Sequence, residues 1–208
     1  MIDSMPWHAK SWLEFARRHG IAIELAELLR RTTGRTGVEC MCEVFEETLD
    51  AEEALKLVNE KESIYRELFA PVFTEVAGFS RFAADACARG LKLAVGTAGD
   101  QHNIAFVFSH LKLATPLHAV VGGDEGLPGK PQPDIFLEAA RRMGVSPAQC
   151  IVFEDAPLGI EAARRAGMRA VALCTSHDAA DLRGPHVLAQ AHNYDQLRTS
   201  QFLESLDA

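Results

Sequence analysis

Residues 150–173 read CIVFEDAPLGIEAARRAGMRAVAL. A short apolar run, Cys150–Phe153, ends on two adjacent carboxylates, Glu154 and Asp155. Gly159–Ala166 then carries apolar residues at helical spacing and stops at Gly167, and Arg169–Leu173 is a second apolar run. Buried run, amphipathic helix, buried run is the pattern of a right-handed βαβ unit in a parallel sheet. The rhythm continues upstream. Val76–Arg89 reads as a helix closed by Gly90, Leu91–Val95 as a strand, Asn103–His110 as a helix and His118–Val121 as a strand. Asp134–Met143 is a helix ending at Gly144, and a last helix is expected over Tyr194–Leu206. The fold class is α/β with a parallel-sheet core.

The first part of the chain has a different texture. Helices are expected at Pro6–His19, Ile21–Arg31, Gly37–Thr48 and Ala51–Phe69, punctuated by Gly20, Gly34 and Gly37, with Asp50 capping the last. No strand candidate falls there, and the pattern changes near Pro71. A chain of 208 residues has room for such a core carrying a smaller insert.

Composition narrows the function. The formal net charge is −8 with Lys and Arg scattered, which gives no basic stripe for nucleic acid. No apolar run approaches the roughly 20 residues that cross a bilayer. Met1–Pro6 has no basic n-region and no apolar h-region and does not read as a signal peptide, so a cytoplasmic location is expected. The cysteines (Cys40, Cys42, Cys87, Cys150, Cys174) are odd in number and irregularly spaced, as suits free thiols in a reducing compartment.

Ligands of parallel sheets bind at the carboxyl ends of the strands. Three places there carry chemistry. Gly96-Thr97-Ala98-Gly99-Asp100 offers a hydroxyl and small residues that let backbone N–H groups approach an anion, although Thr97 could equally be a plain helix cap. Glu154-Asp155 sets two negative charges together, which favours a nearby cation such as Mg²⁺, or else is an exposed pair with Asp155 capping the next helix. Lys130, between Gly129 and Pro131, is oddly constrained for a solvated charge, unless the loop is simply stiff. It is not a P-loop lysine, because Asp124 stands at the first glycine position and Pro131 replaces the Ser/Thr. Together these groups make a phosphoryl clamp, since phosphoryl transfer depends on positioning and charge stabilisation. What the set lacks is a nucleophile.

Gly129-Lys130-Pro131-x-Pro133-Asp134-x-Phe136 and Val152-Phe153-Glu154-Asp155, with Gly159-Ile160 and Ala166-Gly167-Met168 behind them, resemble motifs III and IV of the haloacid dehalogenase superfamily. Thr97 matches motif II, and Asp3-Ser4-Met5-Pro6-x-His8 resembles the segment after motif I in the β-phosphoglucomutase-like branch. The resemblance implies a Rossmann-like core, residues 76–208 completed by 1–4, with a helical cap at 5–75. It also implies roles. Thr97 and Ala98 would hold the phosphoryl group, Lys130 would neutralise it, and Glu154 and Asp155 would hold Mg²⁺. His8 would sit at the cap hinge, Lys61 and Tyr65 would line the substrate side, and Arg35 would fall in the cap's specificity loop.

Two departures matter. The mutase's second-phosphate arginine aligns with Gly37, so Arg35 would have to reach differently. Family members read D-x-D-G-x-x-x-D-S, and Asp3 matches the last Asp, which puts both catalytic carboxylates and the first core strand upstream of Met1. Asp3 lies on the hinge side and is not expected to replace them. The chain from Met1 is therefore expected to be inactive and poorly stable alone, with Met1 an internal methionine of a longer protein. The expected function is a Mg²⁺-dependent phosphatase acting on a small, sugar-phosphate-like metabolite through an aspartyl-phosphate, as a monomer. The alternatives are a β-phosphoglucomutase-type mutase and a non-catalytic phosphate- and Mg²⁺-binding remnant.

Overall fold

Four helices make up residues 4–73 in the computed structural model, which describes residues 1–32 and 37–206. They are α1 (Met5–Arg18), α2 (Leu25–Thr32), α3 (Gly37–Phe45) and α4 (Ala51–Phe69). Arg35 and Gly34 lie outside the described residues. Asp50 caps α4, its carboxylate accepting from the Glu53 N–H at 2.9 Å and satisfying one of the open amides of the first turn.

Two helix boundaries depart from expectation. Ile21–Glu24 is not helical. Gly20 takes a left-handed φ of 69° and Ile21 N–H closes back onto the Ala16 carbonyl, which ends α1. Ile21 and Ile23 then pack on the core with a spacing of two, so their apolar character mimics a helical stripe without one. Likewise α3 stops at Phe45 rather than Thr48, where Glu46 adopts a positive φ. The core of this unit is Phe15, Leu28, Met41, Val44, Ala54 and Ile64. Burying each of the larger side chains contributes about 1.5–3 kcal/mol.

The second unit comprises residues 1–3 and the chain from Thr74 onward. Its elements are α5 (Phe79–Ala88), β1 (Ala94–Gly96), α6 (Gln101–His110), β2 (Ala119–Val121), α7 (Asp134–Met143), β3 (Ile151–Glu154), α8 (Pro157–Arg165), β4 (Arg169–Leu173), β5 (Val187–Ala191) and α9 (Tyr194–Thr199). Every ladder is parallel. β1 pairs with β2, and β3, β4 and β5 form a separate piece in that order. No ladder joins β1 to β3 among the described residues, so each has one edge without a strand partner. Ile2 makes an isolated antiparallel bridge to Glu75.

β4 is buried from Ala170 to Leu173 and reads as a continuous apolar run, as a strand covered on both faces should. β5 was not expected. Its Leu188 is exposed and its alternation of small and polar residues gives a weak apolar signal. α5 starts at Phe79 rather than Val76, because Gly78 has φ 83° and Asp195 packs where a side chain would stand. The last helix also stops early, at Thr199. Gln201 takes a positive φ, Phe202 and Leu203 turn inward, and only a short 3₁₀ turn, Glu204–Leu206, follows.

A shared device ends four helices. Glu14, Glu27, Glu138 and Glu161 each bridge two successive arginines three and four residues on, in α1, α2, α7 and α8. The pairs are mostly exposed and add little stability, but the arginines sit where the helix dipole favours cations. No described helix is long and apolar enough to cross a membrane.

Candidate active site

The loop after β1 begins as a continuation of the ladder, with Thr97 N–H donating to the Val121 carbonyl at 3.0 Å. The Thr97 hydroxyl oxygen accepts the Gly99 N–H at 3.1 Å, which leaves its own hydrogen available to donate. Asp100 then caps α6 through the Asn103 N–H at 2.7 Å. Ala98 is exposed, and among the described residues its N–H has no hydrogen-bond partner. The loop after β2 runs close by, Gly123 N–H donating to the Gly99 carbonyl at 2.9 Å. A Cβ on Gly123 would stand 2.2 Å from the Ala98 carbonyl oxygen, so only glycine allows this approach.

Lys130 reaches from its proline-flanked loop to Glu154 at the end of β3, Nζ to Oε2 at 2.8 Å, with 19% and 10% of the two side chains exposed. Its ammonium also lies over the Phe136 ring at 4.8 Å. Phe136 in turn packs closely against Gly96, its ring 3.2 Å from where a Cβ would stand, so one ring links the end of β1 to the lysine. The Lys130–Pro131 peptide is cis. Gly159, in the first turn of α8, leaves room for Glu154, since a Cβ there would fall 2.1 Å from the carboxylate carbon.

Asp155 follows Glu154, and its Oδ2 accepts from the Ser176 hydroxyl at 2.6 Å and the Thr175 hydroxyl at 3.2 Å. Oδ1 has no hydrogen-bond partner among the described residues. Asp3 lies close enough to feel this charge. Burial raises its pKa first and Asp155 second, and its Oδ1 is buried without a partner. The described residues hold no group of three or more His, Cys, Asp or Glu arranged for a metal. The donors that are present, Glu154 and Asp155, are hard oxygens at a strand end, and such a pair fits Mg²⁺, which often takes only one or two protein carboxylates.

A second cluster lies inside residues 4–73. Lys61 is only 3% exposed, and its ammonium donates to Glu62 Oε1 at 2.8 Å and to His8 Nδ1 at 3.0 Å. With Lys61 as donor, the neutral imidazole carries its proton on Nε2. His8 stacks on Tyr65 with ring centroids 3.9 Å apart. Burial, then the neighbouring Lys61 charge, lowers the His8 pKa to about 4. Burial also lowers that of Lys61 and pushes Tyr65 up to about 12. The structure thus brings His8, Lys61 and Tyr65 together. It adds Glu62 and also Trp12, whose ring lies 5.1 Å from the Lys61 ammonium.

Sequence reasoning also passed over Thr175, Ser176 and His177. They follow the apolar run of β4, and the strand-end rule that singled out Thr97 and Glu154 applies to them equally.

The fold agrees with what comparison finds. Residues 1–167 match the family of haloacid dehalogenase-like hydrolases. Fructose-1-phosphate phosphatase YqaB of Escherichia coli (strain K12) is 33% identical over 180 residues, 82% of this chain and 89% of that protein. β-Phosphoglucomutase of Bacillus subtilis (strain 168) is 29% identical over 178 residues, 82% of this chain and 77% of its own. Among solved structures, a HAD hydrolase of family IA, variant 3, from Entamoeba histolytica superposes with a TM-score of 0.85 at 26% identity, covering 94% of this chain and 90% of that one. The chain belongs to the haloacid dehalogenase-like hydrolases.

Proposed function

We propose that this protein is a phosphatase for a small, sugar-phosphate-like metabolite, working through an aspartyl-phosphate with Mg²⁺. The observation that carries the proposal is the Lys130–Glu154 pair, which joins two loops at the strand ends and is linked through Phe136 to the loop of Thr97 and Ala98. In this reading the Thr97 hydroxyl and the Ala98 N–H donate to the oxygens of the substrate phosphoryl group. Lys130 offsets the charge that develops on them, an electrostatic contribution that needs no rearrangement during the reaction. Glu154 holds Lys130 in place, and Glu154 and Asp155 would hold Mg²⁺, which supplies further positive charge to the phosphoryl oxygens.

The attacking group is a carboxylate that forms a bond to phosphorus as the P–O ester bond breaks, a second carboxylate beside it giving the leaving oxygen its proton and regaining one from the water that then cleaves the acyl phosphate. We take that carboxylate from a strand preceding residue 1, which would pair with the open edges of β1 and β3. Residues 4–73 would act as the cap that selects the substrate, with His8, Lys61 and Tyr65 on its working side. The kinship with a fructose-1-phosphate phosphatase supports hexose phosphates as the first substrates to try.

Phosphorus NMR of fructose 1-phosphate and of β-glucose 1-phosphate, incubated with the full-length protein and Mg²⁺, tests the proposal. Inorganic phosphate is the expected product. Formation of glucose 6-phosphate instead would make the protein a mutase, and binding without any turnover would make it a phosphate-binding remnant.

A further inference from the structure

Three successive residues at the end of β4 converge on Asp155. Ser176 Oγ and Thr175 Oγ1 both donate to Oδ2, at 2.6 and 3.2 Å, and His177 Nδ1 meets the Asp155 carbonyl at 2.9 Å. The base of this loop is tied down from β5, with Cys174 N–H donating to the Ala191 carbonyl at 2.8 Å and His192 Nδ1 lying 3.3 Å from the Cys174 carbonyl. Hydroxyl-bearing residues beside a helix start commonly cap it. Here α8 has no side-chain cap, and the two hydroxyls go to the carboxylate instead. A carboxylate turns easily about its last torsion, and two donors on one oxygen remove that freedom. The other oxygen, Oδ1, is the one left for a further ligand.

We propose that Ser176, helped by Thr175, is a positioning residue that fixes the Asp155 carboxylate with Oδ1 presented to a divalent cation, so that the β4–β5 loop sets metal affinity. The inference rests on the phosphatase reading in taking Asp155 as a cation ligand. Partners that orient a metal ligand typically contribute 10- to 100-fold in affinity.

Calorimetric titration of the purified full-length protein with Mg²⁺, without substrate, reads this directly, alongside melting curves with and without Mg²⁺. Ser176→Ala is expected to weaken Mg²⁺ binding about tenfold or more and to shrink the Mg²⁺-induced rise in melting temperature. Ser176→Thr, which keeps the hydroxyl, should restore both, and Thr175→Val should fall between. Should Ser176→Ala fail to fold, the Thr175→Val and Ser176→Thr pair decides, with a loss in the first only as the expected result. Mg²⁺ binding equal to wild type in Ser176→Ala, or in Thr175→Val where that pair decides, overturns the positioning role while leaving the metal reading intact. Wild-type protein that does not respond to Mg²⁺, or an Asp155→Asn variant that responds fully, overturns the assignment of Asp155 as a ligand, and the inference falls with it.

Discussion

The two units each pair a lysine with a glutamate at 2.8 Å, yet they build the pair in opposite ways. In the helical unit Lys61 and Glu62 are neighbours in the chain, and the pair is made distinctive by what encloses it: the stacked rings of His8 and Tyr65, and Trp12. In the α/β unit Lys130 and Glu154 are 24 positions apart, and only the fold brings them together. The cores differ in the same sense. Phe15, Leu28, Met41 and Ile64 fill the helical unit with large side chains, whereas Ala139, Ala140, Ala162, Ala163, Ala170 and Ala172 let helices lie close on the sheet of the other. The helical unit is held by volume and the α/β unit by close approach, so opposite kinds of substitution should damage them.

The largest effect is expected from Phe15→Ala, which empties the centre of the helical unit and should cost about 3–5 kcal/mol. Both tryptophans, Trp7 and Trp12, lie in residues 4–73, so their fluorescence during denaturation follows that unit. A loss under about 1 kcal/mol would mean that its core is not the volume-filled one described.

Acid should separate the units next. His8 has its pKa lowered to about 4 from an ordinary 6.5, so between those values the unfolded chain binds a proton that the folded one refuses. Stability is therefore full above about pH 6.5, falls as the pH drops below it, and levels off near 4, with a total loss of about 3 kcal/mol at most. His8→Gln should flatten that part of the tryptophan-monitored stability curve. An unchanged slope would assign the acid sensitivity elsewhere.

In the α/β unit the damaging change is an added side chain. Ala170 is fully buried in β4, and Ala170→Leu should cost about 1–3 kcal/mol by overpacking, seen as a lower circular-dichroism melting temperature. The smallest effects should be alike in the two units. Asp50→Ala and Asp100→Ala each remove one cap bond and should cost about 1 kcal/mol in denaturant titrations. A large difference between them would show that one cap does more than close its helix.

Much of the fold is legible in the sequence because local signals agree with tertiary ones. The limits of α4, α7 and β4 follow from Asp50, from Gly144 and from an unbroken apolar run. Where the chain is held by distant contacts, the sequence misleads. Nothing near Gly78 announces that Asp195 will occupy its side-chain space, and Val187–Ala191 is a strand through its pairing with β4 rather than through its composition. The candidate site divides the same way. Thr97, Lys130, Glu154 and Asp155 stand out by residue type at strand ends. The grip of Ser176 and Thr175 on Asp155 joins residues 20 and 21 positions apart and is visible only in three dimensions.

The most direct test of the phosphoryl clamp is calorimetric titration of inorganic phosphate into the Mg²⁺-supplied, full-length protein and its Lys130→Ala variant. A charge-assisted hydrogen bond is worth about 1.5–3 kcal/mol, so the variant is expected to bind phosphate about 10- to 100-fold more weakly. Equal phosphate affinity in the two proteins would contradict the clamp and with it the phosphatase assignment of these strand ends.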